Sequence, residues 1–251
     1  MGIKSISGRK RILILNVPVD VVPEESLEDV ISDLIIDKGR HQIIFLSLRG
    51  LLKARGNSQF AETVRKASLV IPVSKRIVRG AKFLGKHIPV RYMPFDFSIK
   101  LLGILEKHHH SLYLAGSKPA ELQITTNNLR DSFPGISIVG RYAGYYKREV
   151  EKDMVMAIKK ASPSLLFIGN GVPGRSNWLS KNIKNFNPGI FLWCGNCFDI
   201  FSGKKKKVSK KSWENGSFAL LEFIRKPWKI IMIFPHIYYL LLLLVYRIRN
   251  I

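Results

Sequence analysis

Residues 169–178 have the types and spacing that hold a diphosphate. Gly169, Gly171 and Pro173 follow a short apolar run, and a helical pattern begins near Pro173. A strand that turns through glycines into a helix leaves backbone N–H groups without partners, and the helix dipole makes that end positive. Arg175 adds a side chain able to make charge-assisted contacts with phosphate oxygens. We therefore predict ligand binding by this loop, with turn glycines of purely structural role as the alternative.

A second loop, residues 140–146, combines glycines with a cation and aromatic rings. It contains Gly140, Arg141, Gly144 and Tyr145, and it follows the apolar residues 136–139. Upstream, the apolar run 112–115, a Gly-Pro turn and a helical pattern complete a predicted β-α-β unit. Open parallel sheets bind ligands beyond the carboxyl ends of their strands. This position therefore predicts a second ligand-binding loop.

Three further groups of polar residues have two readings each. Asp199, which precedes Gly203, either orients a ribose or sugar hydroxyl or caps a turn. The run 108–110 is three histidines, but consecutive helical side chains point in different directions, which favours a solvated helix end over a metal site. Cys194 and Cys197 follow an apolar strand, which favours packing of small buried side chains over a redox pair.

The sequence contains no Asp-x-Asp pair. That pair is a common means of holding a diphosphate through a divalent cation. Arginine, lysine and helix N-termini would have to neutralise a bound diphosphate instead. We therefore expect no metal site and no other cofactor.

Composition limits the function classes. The 251 residues carry 41 Lys and Arg against 18 Asp and Glu, a net charge of +23. This excess favours polyanionic partners: nucleic acid, an anionic membrane surface or phosphate-bearing substrates. No nucleic-acid-binding motif is present, so we expect no nucleic acid. Two cysteines are too few for a disulfide framework and agree with a reducing compartment.

Short apolar strands alternate with helices through most of the chain, which predicts an α/β fold with a mostly parallel, Rossmann-like sheet and helices on both faces. The strands are predicted at residues 11–15, 16–20, 42–48, 68–72, 112–115, 136–139, 164–168 and 190–194. One helix is predicted from Pro23 onward, and another from the turn at residues 116–119 to residue 129. The remaining helices are predicted at 49–66, 75–84, 96–107, 149–160 and 173–184. Residues 1–203 should form this domain.

Residues 204–251 are predicted to attach the domain to a membrane. Their basic residues are Lys204, Lys205, Lys206, Lys207, Arg225, Lys229, Arg247 and Arg249. The apolar run 230–245 is shorter than the roughly 20 residues that cross a bilayer, and Pro235 interrupts it. Basic charge together with an apolar helix is what stable peripheral attachment requires. A single membrane span and a buried homo-oligomer contact are the alternatives.

The order and spacing of several motifs closely resemble the WecG/TagA/CpsF glycosyltransferases over about residues 11–228. The matching segments are Ala115-Gly116-Ser117-Lys118-Pro119, Phe133-Pro134-Gly135, Val139-Gly140 with Gly144-Tyr145-Tyr146, Gly169-Asn170-Gly171-Val172-Pro173 with Trp178, and Phe198-Asp199 with Gly203. The resemblance implies transfer of a sugar, of N-acetylmannosamine type or related, from a UDP-sugar to an undecaprenyl-pyrophosphate-linked acceptor. Such a reaction builds bacterial surface polysaccharide at the cytoplasmic face of the membrane.

The resemblance also locates the reaction chemistry. The family's Asp, which is taken to activate the acceptor hydroxyl, corresponds to Val73, and the family's Asn at the end of the preceding strand corresponds to Ser47. Valine cannot accept a proton. Asp96 matches another acidic position of the family and is the first candidate base, with Asp20 second; a helix cap is the alternative reading of Asp96. The competing function is a catalytically silent relative that binds a nucleotide sugar or lipid phosphate at the membrane.

Overall fold

The computed structural model describes residues 8–174, 176–215 and 233–249. The strands are β1 (Lys10–Ile14), β2 (Val17–Val21), β3 (Arg40–Leu46), β4 (Leu69–Pro72), β5 (Ser111–Ala115), β6 (Ser137–Tyr142), β7 (Leu165–Gly169) and β8 (Gly189–Gly195). The helices are α1 (Leu27–Ile36), α2 (Leu48–Ala54), α3 (Gln59–Lys66), α4 (Lys75–Phe83), α5 (Pro94–Lys107), α6 (Pro119–Ser132), α7 (Glu151–Ala161), α8 (Ser176–Asn182), α9 (Cys197–Phe201), α10 (Lys210–Asn215) and α11 (Ile233–Ile248).

Six strands form one parallel sheet in the order β4-β3-β8-β7-β5-β6. Alternate residues of each strand face opposite layers. In β5, Leu112 and Leu114 pack in the cluster that includes residues of α1, α5, α6 and α9, whereas Tyr113 and Ala115 pack with residues of α7 and α8. The predicted α/β class, with a parallel sheet and helices on both faces, is confirmed.

The two N-terminal strands do not join this sheet. β1 and β2 pair with each other in antiparallel register through a tight turn at Leu15 and Asn16, whose φ angles are 51° and 64°. Two consecutive left-handed residues are what a two-residue hairpin turn requires. The sequence predicted both strands but not their pairing, because apolar runs do not encode a partner.

Two predicted helices have different bounds in the structure. The single helix predicted at 49–66 is divided into α2 and α3, because Ser58 begins a new helix by accepting a hydrogen bond from the Ala61 N–H at 3.2 Å. The helix predicted from Pro23 begins only at Leu27. Helical periodicity continues across a break when both helices bury the same face, so the sequence pattern did not show the division.

The elements around the predicted ligand loops also shift. The helix predicted from Pro173 begins at Ser176, so Pro173 lies in the turn before it. β6 extends to Tyr142, which places Gly140 and Arg141 within the strand rather than in the loop after it. Gly140 allows this, because a Cβ there would lie 2.3 Å from the Tyr113 ring of the neighbouring strand.

The C-terminal helix α11 packs against the α/β body. Tyr239 and Leu243 are buried among residues of α2 and α4, and the Tyr239 hydroxyl donates to the Arg76 carbonyl at 3.1 Å. Among the described residues, none of the helices has the length and apolar character that crossing a membrane would need. The membrane appendage expected after residue 203 and the domain boundary there stay predictions.

Candidate functional site

The loops that leave β5, β6 and β7 form one continuous surface at the carboxyl edge of the sheet. The Gly144 N–H donates to the Ser117 carbonyl at 2.7 Å, and the Ser117 N–H donates to the Asn170 carbonyl at 2.5 Å. The Tyr145 N–H donates to the Gly171 carbonyl at 2.8 Å. The structure therefore brings together the two glycine loops that the sequence singled out, and it adds the β5 loop to them.

Close packing explains part of the glycine pattern. A Cβ at Gly144 would lie 3.0 Å from the backbone of Asn170 and Gly171, and a Cβ at Gly169 would lie 2.6 Å from the Phe198 ring. Gly171 has a φ of +90°, where side chains are strained. These close contacts and the positive φ give the glycines the structural role that the sequence left as the alternative to ligand binding. Ligand binding by the same glycines stays a prediction.

Two residues other than glycine hold unusual backbone conformations at this edge. Ser117 has a φ of 56° and Tyr145 a φ of 57°. Strained residues of this kind persist where the surroundings hold them, and they concentrate at ligand sites. Tyr145 also leaves 66% of its surface exposed, so the strained backbone presents an aromatic ring to solvent beside the glycine loops.

An asparagine pair joins the ends of the two central strands. The Asn170 Nδ2 donates to the Asn196 side-chain Oδ1 at 2.6 Å, and the pair is exposed at the ends of β7 and β8. Sequence reasoning missed both residues. Asn170 stood within the quoted Gly-Asn-Gly segment, but the closeness of Asn196 depends on β7 and β8 being neighbours.

The basic loop that follows Gly203 lies along this edge, tied down by three ion pairs. Lys204 pairs with Glu121 at 2.8 Å, Lys205 with Asp199 at 2.5 Å, and Lys207 with Asp96 at 2.5 Å. The carboxylates stand on α6, α9 and α5, in the first helical turns, where negative charge is favourable. Hydrogen bonding from Lys204 lowers the pKa of Glu121. Of the four consecutive lysines 204–207 that were predicted to bind a membrane, three are therefore engaged with the protein itself.

Asp96 lies in a groove of about 570 Å³ between α4, α5 and the segment that ends in α10. Lys75, Arg91 and Lys210 also line this groove. The Arg91 guanidinium lies 4.3 Å from the centroid of the Trp213 ring, and burial lowers its pKa while Glu214 opposes that shift. The basic loop connects this groove with the start of α6, because Lys207 lines the groove and Lys204 pairs with Glu121. The helix-cap reading of Asp96 has no support, since the cap of α5 is Met93 and no side-chain cap hydrogen bond is present there.

Asp20, the second candidate base, holds the hairpin to the sheet. Its carboxylate accepts hydrogen bonds from Arg11 at 2.7 Å and 2.8 Å and from the Val70 N–H at 2.6 Å. The side chain has no exposed surface. A carboxylate with both oxygens occupied by fixed donors is a structural element, and we do not propose it as a base.

Ser47 and Val73 end neighbouring strands, as the resemblance implied. The Ser47 hydroxyl caps α2 by accepting from the Gly50 N–H at 3.1 Å. The Val73 N–H donates to the Leu46 carbonyl at 3.0 Å, so both positions lie side by side at the carboxyl edge. Arg175, Arg225 and Lys229 lie outside the described residues.

The cysteines and histidines form no metal site within the described part of the chain. Both thiols are free and buried, and burial raises the pKa of Cys194. A thiol with a raised pKa is a poor nucleophile, in agreement with a packing role. α5 ends at Lys107, directly before the three histidines.

The family described as Glycosyl transferase WecG/TagA/CpsF matches residues 12–250 of this chain. The chain belongs to the WecG/TagA/CpsF family. The match covers β1 through α11, so the family relationship includes the basic loop and the C-terminal helix as well as the sheet.

Several WecG/TagA/CpsF relatives share the name N-acetylglucosaminyldiphosphoundecaprenol N-acetyl-beta-D-mannosaminyltransferase. The protein of Bacillus spizizenii is 24% identical over 156 residues, which is 62% of this chain and 60% of that relative. The Bacillus subtilis protein is 20% identical over 171 residues, 68% of this chain and 66% of the relative. A Staphylococcus aureus protein is 22% identical over 155 residues, 62% of this chain and 60% of the relative. The aligned part of this chain thus spans about 60% to 66% of these relatives.

Proposed function

We propose that this protein is a glycosyltransferase that moves an N-acetylmannosamine-type sugar from a UDP-sugar to a polyprenyl-diphosphate-linked acceptor. The observation that carries the proposal is the family match over residues 12–250. The shared name of the relatives supplies the acceptor class, a diphosphoundecaprenol that carries N-acetylglucosamine. The product would enter cell-surface polymer synthesis at the cytoplasmic face of the membrane.

The donor is proposed to bind on the joined loops after β5, β6 and β7. The glycines there keep the backbone open to close approach by a diphosphate. Tyr145 offers an exposed ring on which the uracil could stack. Lys204 and Lys205 lie at the adjoining first turns of α6 and α9. Once their ion pairs with Glu121 and Asp199 open, their positive charge would stabilise the departing UDP without a metal.

The acceptor is proposed to enter the groove that contains Asp96. Lys75, Arg91 and Lys210 give this groove positive charge, which would attract an anionic acceptor. In a direct displacement, the acceptor hydroxyl attacks the sugar's anomeric carbon, its proton passes to a base, and the bond to UDP breaks. Asp96 is the proposed base, and its ion pair with Lys207 must open for the carboxylate to reach that hydroxyl.

Membrane attachment is supported by the surface of α11. Phe234, Ile237 and Ile248 are 72%, 51% and 81% exposed. Arg247 and Arg249 are exposed at the end of the same helix. An apolar helix face with flanking cations binds an anionic lipid surface without crossing it. The acceptor is itself a membrane lipid, so peripheral attachment would place the groove near its substrate.

A catalytically silent binding protein is the second candidate, and one observation favours it. Val73 occupies the position of the family's Asp, beside Ser47 at the edge where the acceptor hydroxyl would react. If no carboxylate replaces that Asp, the protein would bind nucleotide sugar or lipid phosphate without transferring sugar.

Product formation distinguishes the two functions. Purified protein would be mixed with UDP-N-acetylmannosamine and a diphospholipid bearing N-acetylglucosamine, with a chelator present, and the lipid product measured by mass spectrometry. A product that carries one added sugar supports the enzyme. Absence of product with the common UDP-sugars, in a folded sample that still binds UDP, supports the silent relative. Absence of product together with absence of binding to UDP and to the diphospholipid would contradict both functions.

A further inference from the structure

A second cavity lies between α4 and α11, outside the proposed transfer site. Its volume is about 460 Å³, within the range of small-molecule sites. Phe83, Leu240, Leu243 and Leu244 provide its apolar wall. Phe83, Leu240 and Leu244 are 44%, 53% and 49% exposed, so this apolar surface is left open rather than covered by the chain as described.

Two arginines border this apolar groove. Arg76 and Arg79 line it from α4, one turn apart on the same face. Within the described part of the chain, no carboxylate forms an ion pair with either guanidinium. Burial lowers the pKa of Arg76, and the positive charge of Arg79 lowers it further. Two neighbouring cations beside an open apolar groove are complementary to a ligand with an anionic head and a hydrocarbon tail.

The groove is built by close contact between the two helices. Gly80 lets α11 approach, because a Cβ there would lie 1.9 Å from the Tyr239 hydroxyl oxygen. That hydroxyl donates to the Arg76 carbonyl at 3.1 Å, which fixes α11 beside the first turn of α4. The apolar wall and the arginines are therefore held in one geometry rather than meeting by chance on the surface.

α4 connects this groove to the proposed transfer site. Lys75 and Val78 on one face of the helix line the groove of Asp96, whereas Arg76, Arg79, Gly80 and Phe83 on another face line the apolar groove. The spacing of three and four residues within each set is what divides a helix into faces. α4 begins immediately after Val73 and Ser74 at the carboxyl edge, so Arg76 lies at the end nearer the transfer site and Phe83 at the farther end.

We propose that the groove between α4 and α11 binds the proximal part of the acceptor's polyprenyl chain, with its diphosphate held by Arg76 and Arg79. This inference rests on the proposed function for the identity of the lipid. The arginines lie toward the transfer site and the apolar wall extends away from it. A lipid bound this way would direct its diphosphate-linked sugar toward the groove of Asp96. The protein would then select its acceptor by the lipid as well as by the sugar.

Binding to undecaprenyl diphosphate in detergent micelles tests the proposal without requiring turnover. Arg79→Gln should weaken the affinity about tenfold or more, as expected for the loss of one charge-assisted contact. Lys82→Gln is the matched control, because it removes the same charge from an exposed position of α4 outside the groove. The two variants should keep the wild-type melting temperature. Equal weakening by both would indicate nonspecific attraction to positive charge and would overturn the proposal.

Leu244→Asn tests the contact with the hydrocarbon chain of the lipid separately from the contact with its diphosphate. It should weaken binding of undecaprenyl diphosphate but leave binding of inorganic diphosphate unchanged, whereas Arg79→Gln should weaken both. Phosphatidylglycerol is the comparison lipid, and equal affinity for it would identify the groove as a general lipid site and contradict acceptor selection. Unchanged undecaprenyl diphosphate binding by Leu244→Asn would also overturn the proposal. Because these are binding measurements, failure of sugar transfer would count against the proposed function and not against the groove.

Discussion

Asp96 and Lys207 form an ion pair, with 2.5 Å between the carboxylate Oδ1 and the ammonium Nζ, that fastens the basic loop to the first turn of α5. Both residues line the groove between α4, α5 and the segment that ends in α10, and the Lys207 Nζ also lies 5.7 Å from the centroid of the Phe95 ring. A half-exposed pair of this kind contributes little to stability, so it can open at small cost. Its position makes Asp96 both the proposed base and the anchor of the loop.

Asp96→Asn should lower sugar transfer by about 10²- to 10⁴-fold, because the amide keeps the shape of the side chain but cannot accept a proton. UDP-sugar affinity should stay unchanged, because the donor is proposed to bind at other loops. Steady-state rates and calorimetry measure the two quantities. Asp131→Asn, an exposed change on α6, is the control. Full activity in Asp96→Asn would exclude this carboxylate as the base.

Val73→Asp is the complementary variant. If the wild type were inactive and Val73→Asp gained transfer, the natural protein would be a silent relative.

UDP should bind in the presence of a chelator, and Tyr145→Ala should weaken that binding by about 1 to 3 kcal/mol through loss of ring stacking. Tyr145→Phe keeps the ring and should bind as the wild type does. Isothermal titration calorimetry measures both. Arg175→Ala, at a position outside the described residues, should cost about 1.5 to 3 kcal/mol if a charge-assisted phosphate contact is lost. Unaltered affinity in Tyr145→Ala would remove the ring from the donor site.

Asp20→Asn should destabilise the fold by about 3 to 5 kcal/mol, because Arg11 would lose the charge of its partner in a buried pair. The carboxylate also accepts from the Val70 N–H, so the hairpin would loosen from β4. Urea denaturation gives the change in free energy of unfolding. UDP affinity of the folded fraction should not change. A stable Asp20→Asn variant that lost only catalysis would contradict the structural role assigned here.

Gly80→Ala should displace α11 and reduce association with anionic liposomes, because the new methyl group would overlap the Tyr239 hydroxyl. Gly103→Ala is the matched control within α5, where a Cβ meets no atom within 4 Å. Replacing that helical glycine should stabilise the protein by about 0.5 to 1 kcal/mol. Liposome flotation and thermal melting compare the two variants. If Gly80→Ala floated with liposomes as well as Gly103→Ala did, the seating of α11 would not control attachment.

Alkaline pH should also release α11. Burial raises the pKa of Tyr239 from 10.0 to about 12. A raised pKa means that the folded state favours the neutral phenol, so this stabilisation is complete below about pH 10 and is lost as the pH rises to about 12. Tyr239→Phe should remove the part of the pH dependence of stability that comes from this phenol. The part that comes from Tyr92, Tyr113 and Tyr146 should remain, because burial also raises their pKa values. Denaturation curves at several alkaline pH values measure the difference. Identical pH dependence in both proteins would contradict the assignment.

The sequence by itself determined the fold class and the positions of the loops. Glycine, proline and apolar periodicity act locally, so the β-α-β unit of β5, α6 and β6 could be predicted within a few residues. Ser47 and Val73 were placed at strand ends by the family resemblance. The order of the motifs was enough to indicate the family that the match over residues 12–250 then established.

Only the tertiary structure decided which groups meet. Asp20 was the second candidate base, but Arg11 and Val70, on two separate elements, donate hydrogen bonds to its oxygens. The basic residues after Gly203 read as a membrane patch, yet three of them pair with carboxylates 6 to 111 positions earlier in the chain: Asp199, Glu121 and Asp96. Ion pairs and cavities depend on the order of strands and the packing of helices, and those arise from contacts between segments that no local pattern encodes.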